Sequence, residues 1–270
     1  MTLFRKKLGL AIGGGGARGF SSIPLFEEFA KMKLRFDYVS GASVGAIIGA
    51  YYCLHLEVDS LAERFKEMKK KDWANLLDFN SPRVSLIKGE KIKEFLKLHL
   101  FGEKTFADLK IPLVIAATRY PELKTEYITE GNLVDAIMAS ISIPNIFRPY
   151  AYKGALYVDA GVTNNLPIDI LFEKKMAHVI ALDFTLTKEL VLGFNTLIES
   201  FMQSFFSPLL NKNQEIYLLD KRIFMFRPEF EGFLLDILLF YKMKENIACG
   251  KRVLEKERQN FDVWMKQHSF

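Results

Sequence analysis

Apolar runs of strand length alternate with helical patterns along most of this chain. Leu8–Ile12, Leu113–Thr118 and Val179–Leu182 are runs of this kind, and helical patterns lie between them. Strands that are apolar along their whole length are typical of sheets covered on both faces. Alternation of strands with helices is in turn typical of a largely parallel sheet. The sequence therefore predicts an α/β fold of three layers, with a mostly parallel central sheet flanked by helices.

The same patterns predict the individual elements. Strands are predicted at Leu8–Ile12, Phe36–Val39, Leu113–Thr118, Ala155–Val158, Val179–Leu182 and Ile223–Phe226, with Thr125–Ile128 pairing beside Leu113–Thr118. Helices are predicted at Phe20–Met32, Val44–Leu56, Ser60–Lys70, Glu90–Leu100 and Leu133–Ser140, and a further one begins at Pro167. Proline is well tolerated at that first helical position, because the N–H it lacks has no partner there.

The segment Gly41-Ala42-Ser43-Val44-Gly45 directly follows a predicted strand and directly precedes a predicted helix. In that context Gly-x-Ser-x-Gly is typical of a nucleophile elbow, a sharp turn that projects a serine hydroxyl from the sheet. Small flanking residues let the strand and helix approach closely, and the helix N-terminus favours a developing negative charge. The alternative is a strand–helix turn that contains a serine without a catalytic role.

Four glycines follow the first predicted strand, in Gly13-Gly14-Gly15-Gly16-Ala17-Arg18-Gly19. Backbone N–H groups without neighbouring side chains can bind an anion, either a phosphate or an oxyanion. The segment also fits Gly-x-Gly-x-x-Gly, but a dinucleotide site needs an acidic residue at the end of the second strand, where Ser40-Gly41 stands. A P-loop is excluded because no Gly-Lys-Ser/Thr follows. An oxyanion hole beside Ser43 is therefore the better interpretation.

A serine nucleophile also needs a base. Asp159 directly follows a predicted strand, at the carboxyl end where sites of open α/β sheets form. Asp183 has the same placement and is the rival candidate. His178 precedes its strand and is therefore expected at the opposite edge of the sheet from Ser43. The remaining histidines are expected to be structural or exposed, and these are His55, His99 and His268.

Taken together, these motifs resemble those of the patatin-like phospholipases. The resemblance rests on Gly-Gly-Gly-x-Arg-Gly at 14–19, Gly-x-Ser-x-Gly at 41–45 and Asp159-Ala160-Gly161. It extends to Ala139-Ser140-Ile141-Ser142-Ile143-Pro144 and Asn164-Asn165-Leu166-Pro167. The chain departs from the family pattern at two positions, with Ala160 in place of a glycine and Ser22 in place of a frequent histidine.

Similarity to this family implies a patatin-like fold and a serine acyl hydrolase that cleaves carboxylic esters of lipids, of the phospholipase A or lysophospholipase type. The family uses a Ser–Asp dyad and needs no histidine, metal or cofactor. The residues that the resemblance assigns are Ser43 as nucleophile, Asp159 as base, and Gly14, Gly15, Gly16 and Arg18 as the oxyanion hole. Two alternatives stay open: an esterase with a triad of Ser43, Asp159 and His178, and a non-catalytic lipid-binding protein on the same fold.

The chain is expected to form a single domain over residues 1–270, because no stretch rich in glycine, proline or serine divides it. Residues 8–185 are predicted to be the catalytic core, and residues 186–270 a mostly helical part packed on it. Apolar side chains from Phe194 to Leu210 recur at helical spacing. We interpret this face as buried against the sheet, with a lid or a membrane contact as the alternatives.

The composition of the chain limits which partners it can bind and in which compartment it is expected. The net charge of +5 is modest and spread along the chain, which excludes a nucleic-acid groove. Cys53 and Cys249 have neither metal spacing nor a disulfide framework, and are expected to be reduced core residues of an intracellular protein. No apolar stretch is long enough to span a bilayer. We therefore expect a cytoplasmic protein that acts on a lipid or phospholipid, with any membrane contact peripheral and at the inner face.

Overall fold

A computed structural model describes residues 6–76, 78, 87–185, 217–230, 240–268 and 270. Within them, eight strands form one sheet: β1 Leu8–Ile12, β2 Tyr38–Ala42, β3 Leu113–Tyr120, β4 Lys124–Ile128, β5 Tyr150–Tyr152, β6 Ala155–Val158, β7 His178–Leu182 and β8 Ile223–Phe226. The strand order is β5-β6-β3-β2-β1-β7-β8, and β4 also pairs with β3. The strands from β3 to β8 in this order are parallel, whereas β4, β5 and β6 form an antiparallel end.

The described helices are α1 Ile23–Lys31, α2 Val44–His55, α3 Asp59–Glu67, α4 Lys70–Asn75, α5 Glu90–Phe95, α6 Leu133–Ile141, α7 Asp169–Glu173 and α8 Met243–His268. A π-helical turn, Leu96–Phe101, continues α5. Short 3-10 turns lie at Gly16–Ser22, Phe106–Asp108, Ala160–Val162 and Phe240–Lys242.

The central strands are buried on both faces, as β1 illustrates. Its residues Leu8, Leu10 and Ile12 belong to a large core shared with α1, α2, α6 and α8. Ala11 points to the other face, into a smaller core that includes Leu171 of α7. Successive side chains of a strand point to opposite faces, so one strand serves both cores. The predicted three-layer α/β fold with a mostly parallel sheet is confirmed.

The register of β3 brings the ends of β2 and β6 together. The parallel strand β2 pairs with the first half of β3 and ends with Ala42 opposite Ala116. The antiparallel strand β6 pairs with the second half and ends with Val158 opposite Thr118. Since β4 occupies the opposite edge of β3, β2 and β6 share one edge and their carboxyl ends point at each other. The residues that follow these two strands are therefore neighbours.

Most predicted elements are confirmed, and three strands have the predicted bounds: Leu8–Ile12, Ala155–Val158 and Ile223–Phe226. The second strand is observed at Tyr38–Ala42 and not at Phe36–Val39, because its small terminal residues continue the ladder with β1. The predicted helix Phe20–Met32 is replaced by a 3-10 turn followed by α1, which has Pro24 in its first turn. β5 has no counterpart among the predicted strands, and α7 begins two residues after Pro167.

The C-terminal part of the chain joins the same sheet and core. β8 pairs with β7, and α8 packs across α1 and the 3-10 turn that precedes it. Gly250 allows this close approach, since a Cβ there would lie 2.0 Å from the carbonyl oxygen of Ser21. Cys53 and Cys249 are both buried, as expected. The face from Phe194 to Leu210 lies outside the described residues.

Candidate active site

Ser43 lies at the turn between β2 and α2, in a conformation that residues with a side chain seldom adopt. Its φ is 52° and its ψ is −123°. The turn is tight because glycines flank it on both sides. A Cβ on Gly41 would lie 2.4 Å from Gly45 O, and a Cβ on Gly45 would lie 2.1 Å from Ile12 O. The Gly-x-Ser-x-Gly spacing is therefore a steric requirement, and it forms the sharp strand–helix turn that the sequence predicts.

The carboxylate of Asp159 lies within hydrogen-bond distance of this serine. Ser43 Oγ donates to Asp159 Oδ2 over 2.7 Å, and the Gly161 N–H donates to Asp159 Oδ1 over 2.7 Å. The Asp159 residue is 2% exposed and Ser43 is 9% exposed. The two residues are 116 positions apart, and their contact depends on the head-on arrangement of β2 and β6.

Ala160, which stands in place of the family glycine, fits the turn after Asp159. It begins a 3-10 turn that Asp159 caps, and this turn is right-handed, so a Cβ causes no strain. Its methyl group packs with Ala42 and Ala116. Small residues on the neighbouring strands therefore accommodate the substitution.

Burial raises the pKa of Asp159 from its ordinary value of 3.8 to about 6, because the ionised carboxylate loses its hydration. The hydrogen bonds from Ser43 and Gly161 act in the opposite direction, since they stabilise the charged form. A carboxylate with this pKa is a stronger base than an exposed one and is still ionised at neutral pH. The pair can therefore transfer a proton from a hydroxyl to a carboxylate.

The glycine loop after β1 lies beside Ser43, with Gly14 next to the serine side chain. A Cβ on Gly14 would lie 3.1 Å from Ser43 Cβ and 2.3 Å from Asn165 Oδ1. The φ of Gly16 is 55°, a left-handed value that favours glycine. Side chains are therefore excluded from this part of the loop, and backbone lines the space beside the serine.

The amides of the glycine loop differ in what they can bind. The Gly14 N–H donates to Asn165 O over 2.9 Å, and Asn165 Nδ2 donates back to Gly14 O over 3.2 Å. The amides of Gly15 and Gly16 have no protein acceptor among the described residues, and both residues are partly exposed. These two N–H groups are the ones available to a ligand oxygen.

Arg18 is directed toward the C-terminal helix. Its side chain is buried, and its guanidinium carbon lies 5.5 Å from the centroid of the Phe230 ring. It lines a surface pocket together with residues of α8, among them Asn246, and Asn246 Nδ2 donates to Ala17 O over 3.0 Å. These contacts tie the glycine loop to α8, and a role for Arg18 in binding an oxyanion stays a prediction.

Asp183, the rival for the role of base, has other partners. Its Oδ2 accepts from Arg227 Nε over 2.7 Å, and its Oδ1 accepts from the backbone and hydroxyl of Thr185. Arg227 follows β8, on the side of β7 away from β1 and β2. The structure therefore does not bring Asp183 to Ser43.

His178 lies at the opposite end of the sheet from Ser43. It begins β7 and pairs with Leu8 at the start of β1. Burial lowers the pKa of His178 to about 4. It packs against rings near the end of the chain, those of Trp264, His268 and Phe270. The alternative triad of Ser43, Asp159 and His178 is therefore not formed.

An apolar pocket lies beside the elbow. Its lining includes Gly16 and Val44, the residue after Ser43, and it extends to α3. Further lining residues are Phe20, Ile48, Leu61, Ala62, Phe65 and Phe240. The lining has few polar groups and suits an alkyl group, but the cavity volume of about 30 Å³ is far below the roughly 300 Å³ of a ligand pocket.

Two residues contact the site in ways that the sequence does not indicate. The Ser43 N–H donates to Ser140 Oγ over 2.8 Å, and Asn165 binds both polar backbone atoms of Gly14. Both residues belong to stretches that resemble the family. A single sequence carries no signal for hydrogen bonds that span 97 and 151 positions.

In the parts of the chain that the structure describes, no group of three or more His, Cys, Asp or Glu residues could hold a metal ion. No described helix combines the length and the apolarity needed to cross a bilayer.

The sequence model of the patatin-like phospholipase family matches residues 10–172, which include the glycine loop, Ser43 and Asp159. The chain belongs to the patatin-like phospholipase family. Among curated relatives, the neuropathy target esterase sws of Drosophila melanogaster is 31% identical over 181 residues, which are 65% of this chain and 13% of the relative. The lysophospholipase NTE1 of Debaryomyces hansenii is 27% identical over 184 residues, 67% of this chain and 12% of the relative.

This patatin-like chain thus corresponds to a small part of those relatives. Among solved structures, VipD from Legionella pneumophila has a TM-score of 0.51 at 12% identity, over 93% of this chain and 67% of VipD. At that identity the likeness supports the fold alone.

Proposed function

We propose that this protein is a serine acyl hydrolase that cleaves carboxylic esters of lipids, with Ser43 as nucleophile and Asp159 as base. The observation that carries the proposal is the 2.7 Å hydrogen bond from Ser43 Oγ to Asp159 Oδ2, formed at a strained strand–helix turn. Family membership supports the same class of reaction. The names of two relatives, an esterase and a lysophospholipase, agree with it.

In the proposed reaction, Ser43 Oγ attacks the ester carbonyl carbon while its proton passes to Asp159 Oδ2. The tetrahedral intermediate then collapses, the bond to the alcohol breaks, and the proton on Asp159 passes to the leaving oxygen. An acyl group remains on Ser43. Water then gives a proton to Asp159 and attacks the acyl carbon. The bond from the acyl carbon to Ser43 Oγ breaks, the proton on Asp159 returns to that oxygen, and the carboxylic acid leaves.

The oxyanion of each tetrahedral intermediate would be bound by the amides of Gly15 and Gly16. Their N–H groups have no protein acceptor in the described residues, and removal of one such donor typically costs about a hundredfold or more in rate. Gly14 contributes to this site by leaving space where a side chain would stand. Its amide is not available to the oxyanion, since it already donates to Asn165 O. The loop is held against α8 by the hydrogen bond from Asn246 to Ala17 O, and Arg18 packs beside it on Phe230.

The apolar lining beside Val44 supports a substrate with an alkyl group on the acyl carbon, and a long chain would have to widen this small pocket toward Ala62. Filling the pocket with Ala62→Phe is expected to lower the rate with a long-chain ester and to leave the rate with an acetate ester unchanged. An equal effect on both esters would place the acyl chain elsewhere. The phospholipase A or lysophospholipase type, peripheral membrane contact and a cytoplasmic location remain predictions from the sequence.

The enzyme proposal is tested with a fluorophosphonate probe and a panel of p-nitrophenyl esters and phospholipids. The wild-type chain is expected to be labelled on Ser43 and to hydrolyse esters. Ser43→Ala is expected to lose both properties while retaining its circular dichroism and melting temperature. Ser60→Ala, which removes an exposed serine, is the control and is expected to behave as wild type.

A wild-type chain that is neither labelled nor active, but that sediments with phospholipid vesicles, would instead support the non-catalytic lipid-binding alternative. Full activity of Ser43→Ala would exclude the proposed nucleophile.

A further inference from the structure

Ser140, near the end of α6, binds the backbone of the proposed nucleophile. The Ser43 N–H donates to Ser140 Oγ over 2.8 Å, and Ser140 is completely buried. Two residues later, the carbonyl of Ser142 accepts the N–H of Asp159 over 2.9 Å. One helix end therefore binds a backbone amide of each member of the dyad.

Ser43 needs an acceptor of this kind, because its φ of 52° is unfavourable for a residue with a Cβ. The flanking glycines leave room for the turn but supply no acceptor for the Ser43 N–H. A rotation of the peptide unit at Ser43 would move Oγ relative to Asp159 and lengthen the 2.7 Å hydrogen bond. The Ser140 hydroxyl opposes that rotation.

The end of α6 is well suited to hold other groups in place. Asn132 caps the helix, with its side chain accepting from the amides of Val134 and Asp135. At the other end, Ser142 Oγ donates to Met138 O over 2.7 Å. Most apolar side chains of the helix belong to the large core, so Ser140 lies on a firmly packed element.

We propose that Ser140 is a positioning residue, whose hydroxyl fixes the Ser43 amide so that Ser43 Oγ stays within hydrogen-bond reach of Asp159. In the described part of the chain, the Ser140 hydroxyl binds the backbone of Ser43 and forms no hydrogen bond with the carboxylate of Asp159. The inference rests on the proposed function and assigns a role to a motif, Ala139 to Pro144, that the proposed chemistry does not otherwise use.

The test compares Ser140→Ala with Ser40→Ala. Ser40 is also completely buried and its hydroxyl also makes a long-range hydrogen bond, to Pro167 O over 2.6 Å. Ser140→Ala is expected to lower kcat about tenfold to a hundredfold, as small misplacements of reacting groups do, with little change in KM. Ser40→Ala is expected to lose stability and to keep its kcat.

A second readout separates positioning from stability. The hydrogen bond from Ser43 lowers the pKa of Asp159, so weakening it is expected to move the midpoint of the pH–rate profile to higher pH in Ser140→Ala. Ser40→Ala is expected to keep the wild-type midpoint. If Ser140→Ala fails to fold, Ser140→Cys keeps the side-chain shape with a weaker acceptor, and its kcat and midpoint are expected to shift in the same directions.

Wild-type kcat and midpoint in the folded Ser140 variant overturn the positioning role, provided that Ser43→Ala and Asp159→Asn are inactive. Full activity of Ser43→Ala overturns the proposed function itself, whatever the result at Ser140.

Discussion

The loops after β6 and β7 each begin with a buried aspartate, and the two aspartates differ in what binds them. Asp159 accepts a serine hydroxyl and one backbone amide, whereas Asp183 accepts the guanidinium of Arg227 together with Thr185. Burial does not separate them, since both are almost inaccessible. The hydrogen-bond partner therefore decides what each carboxylate can do: Asp183 neutralises a cation and ties β7 to β8, while Asp159 can take the proton of Ser43.

The two aspartates are expected to differ most in their importance for activity. Asp159→Asn is expected to lower kcat/KM by about 10³-fold, because an amide cannot accept the serine proton. Asp183→Asn is expected to stay close to wild type when its activity is measured on folded protein. Hydrolysis of a p-nitrophenyl ester by both variants checks this, and equal losses in the two would mean that both aspartates serve the reaction.

The second prediction concerns the stability of Asp159→Asn. Substitution of a buried residue usually lowers the free energy of unfolding, but here it is expected to raise it. The fold raises the pKa of Asp159 to about 6, above the value of about 3.9 in an unfolded chain. The fold thus favours the protonated form of Asp159. The stability that this preference contributes is present at low pH and is lost as the pH rises through 6. At pH 8 Asp159→Asn is therefore expected to be more stable than wild type, by up to about 3 kcal/mol. Urea unfolding at pH 8 and pH 5 checks this, with a smaller gain expected at pH 5.

Asp183→Asn is expected to be less stable than wild type, by about 2 kcal/mol, because it leaves the charge of Arg227 without its carboxylate. Arg227 is 24% exposed, so water offsets part of the loss. The matched control is Asp220→Asn, which breaks the exposed pair with Arg222 and is expected to cost less than about 1 kcal/mol. Equal costs for the two pairs in urea unfolding would contradict the structural role of Asp183.

Sequence reasoning finds the site residues where their signal is local. The elbow around Ser43 is readable because five consecutive residues carry the steric requirement, and the strand before it and the helix after it have their own patterns. Asp159 is also found, as a residue after a strand, but its contact with Ser43 has a different origin. The strand β6 runs antiparallel to β3, and four apolar residues carry no information about strand direction.

Signals that depend on distant packing are not readable. The second strand is predicted to end at Val39, where its apolar residues end, yet it continues to Ala42 because α2 packs closely on small residues there. The hydrogen bond from Ser43 to Ser140 joins a strand–helix turn to the end of α6, and only the completed sheet brings these two parts together. The family resemblance marks Ser140 as part of a motif, but only the structure gives the atom that it binds.

The mildest change is expected in the pH dependence of activity, which tests directly whether the two aspartates have separate roles. Asp159 must be ionised to accept the serine proton, and its pKa is about 6. We therefore expect kcat/KM to be constant between pH 7 and 8 and to fall about tenfold by pH 5, because protonation removes the base. The midpoint is expected to be unchanged in Asp183→Asn, since Asp183 does not bind Ser43. A midpoint that shifts in Asp183→Asn would mean that the charge of Asp183 influences the titration of Asp159. The two carboxylates would then not be independent, despite their different hydrogen-bond partners.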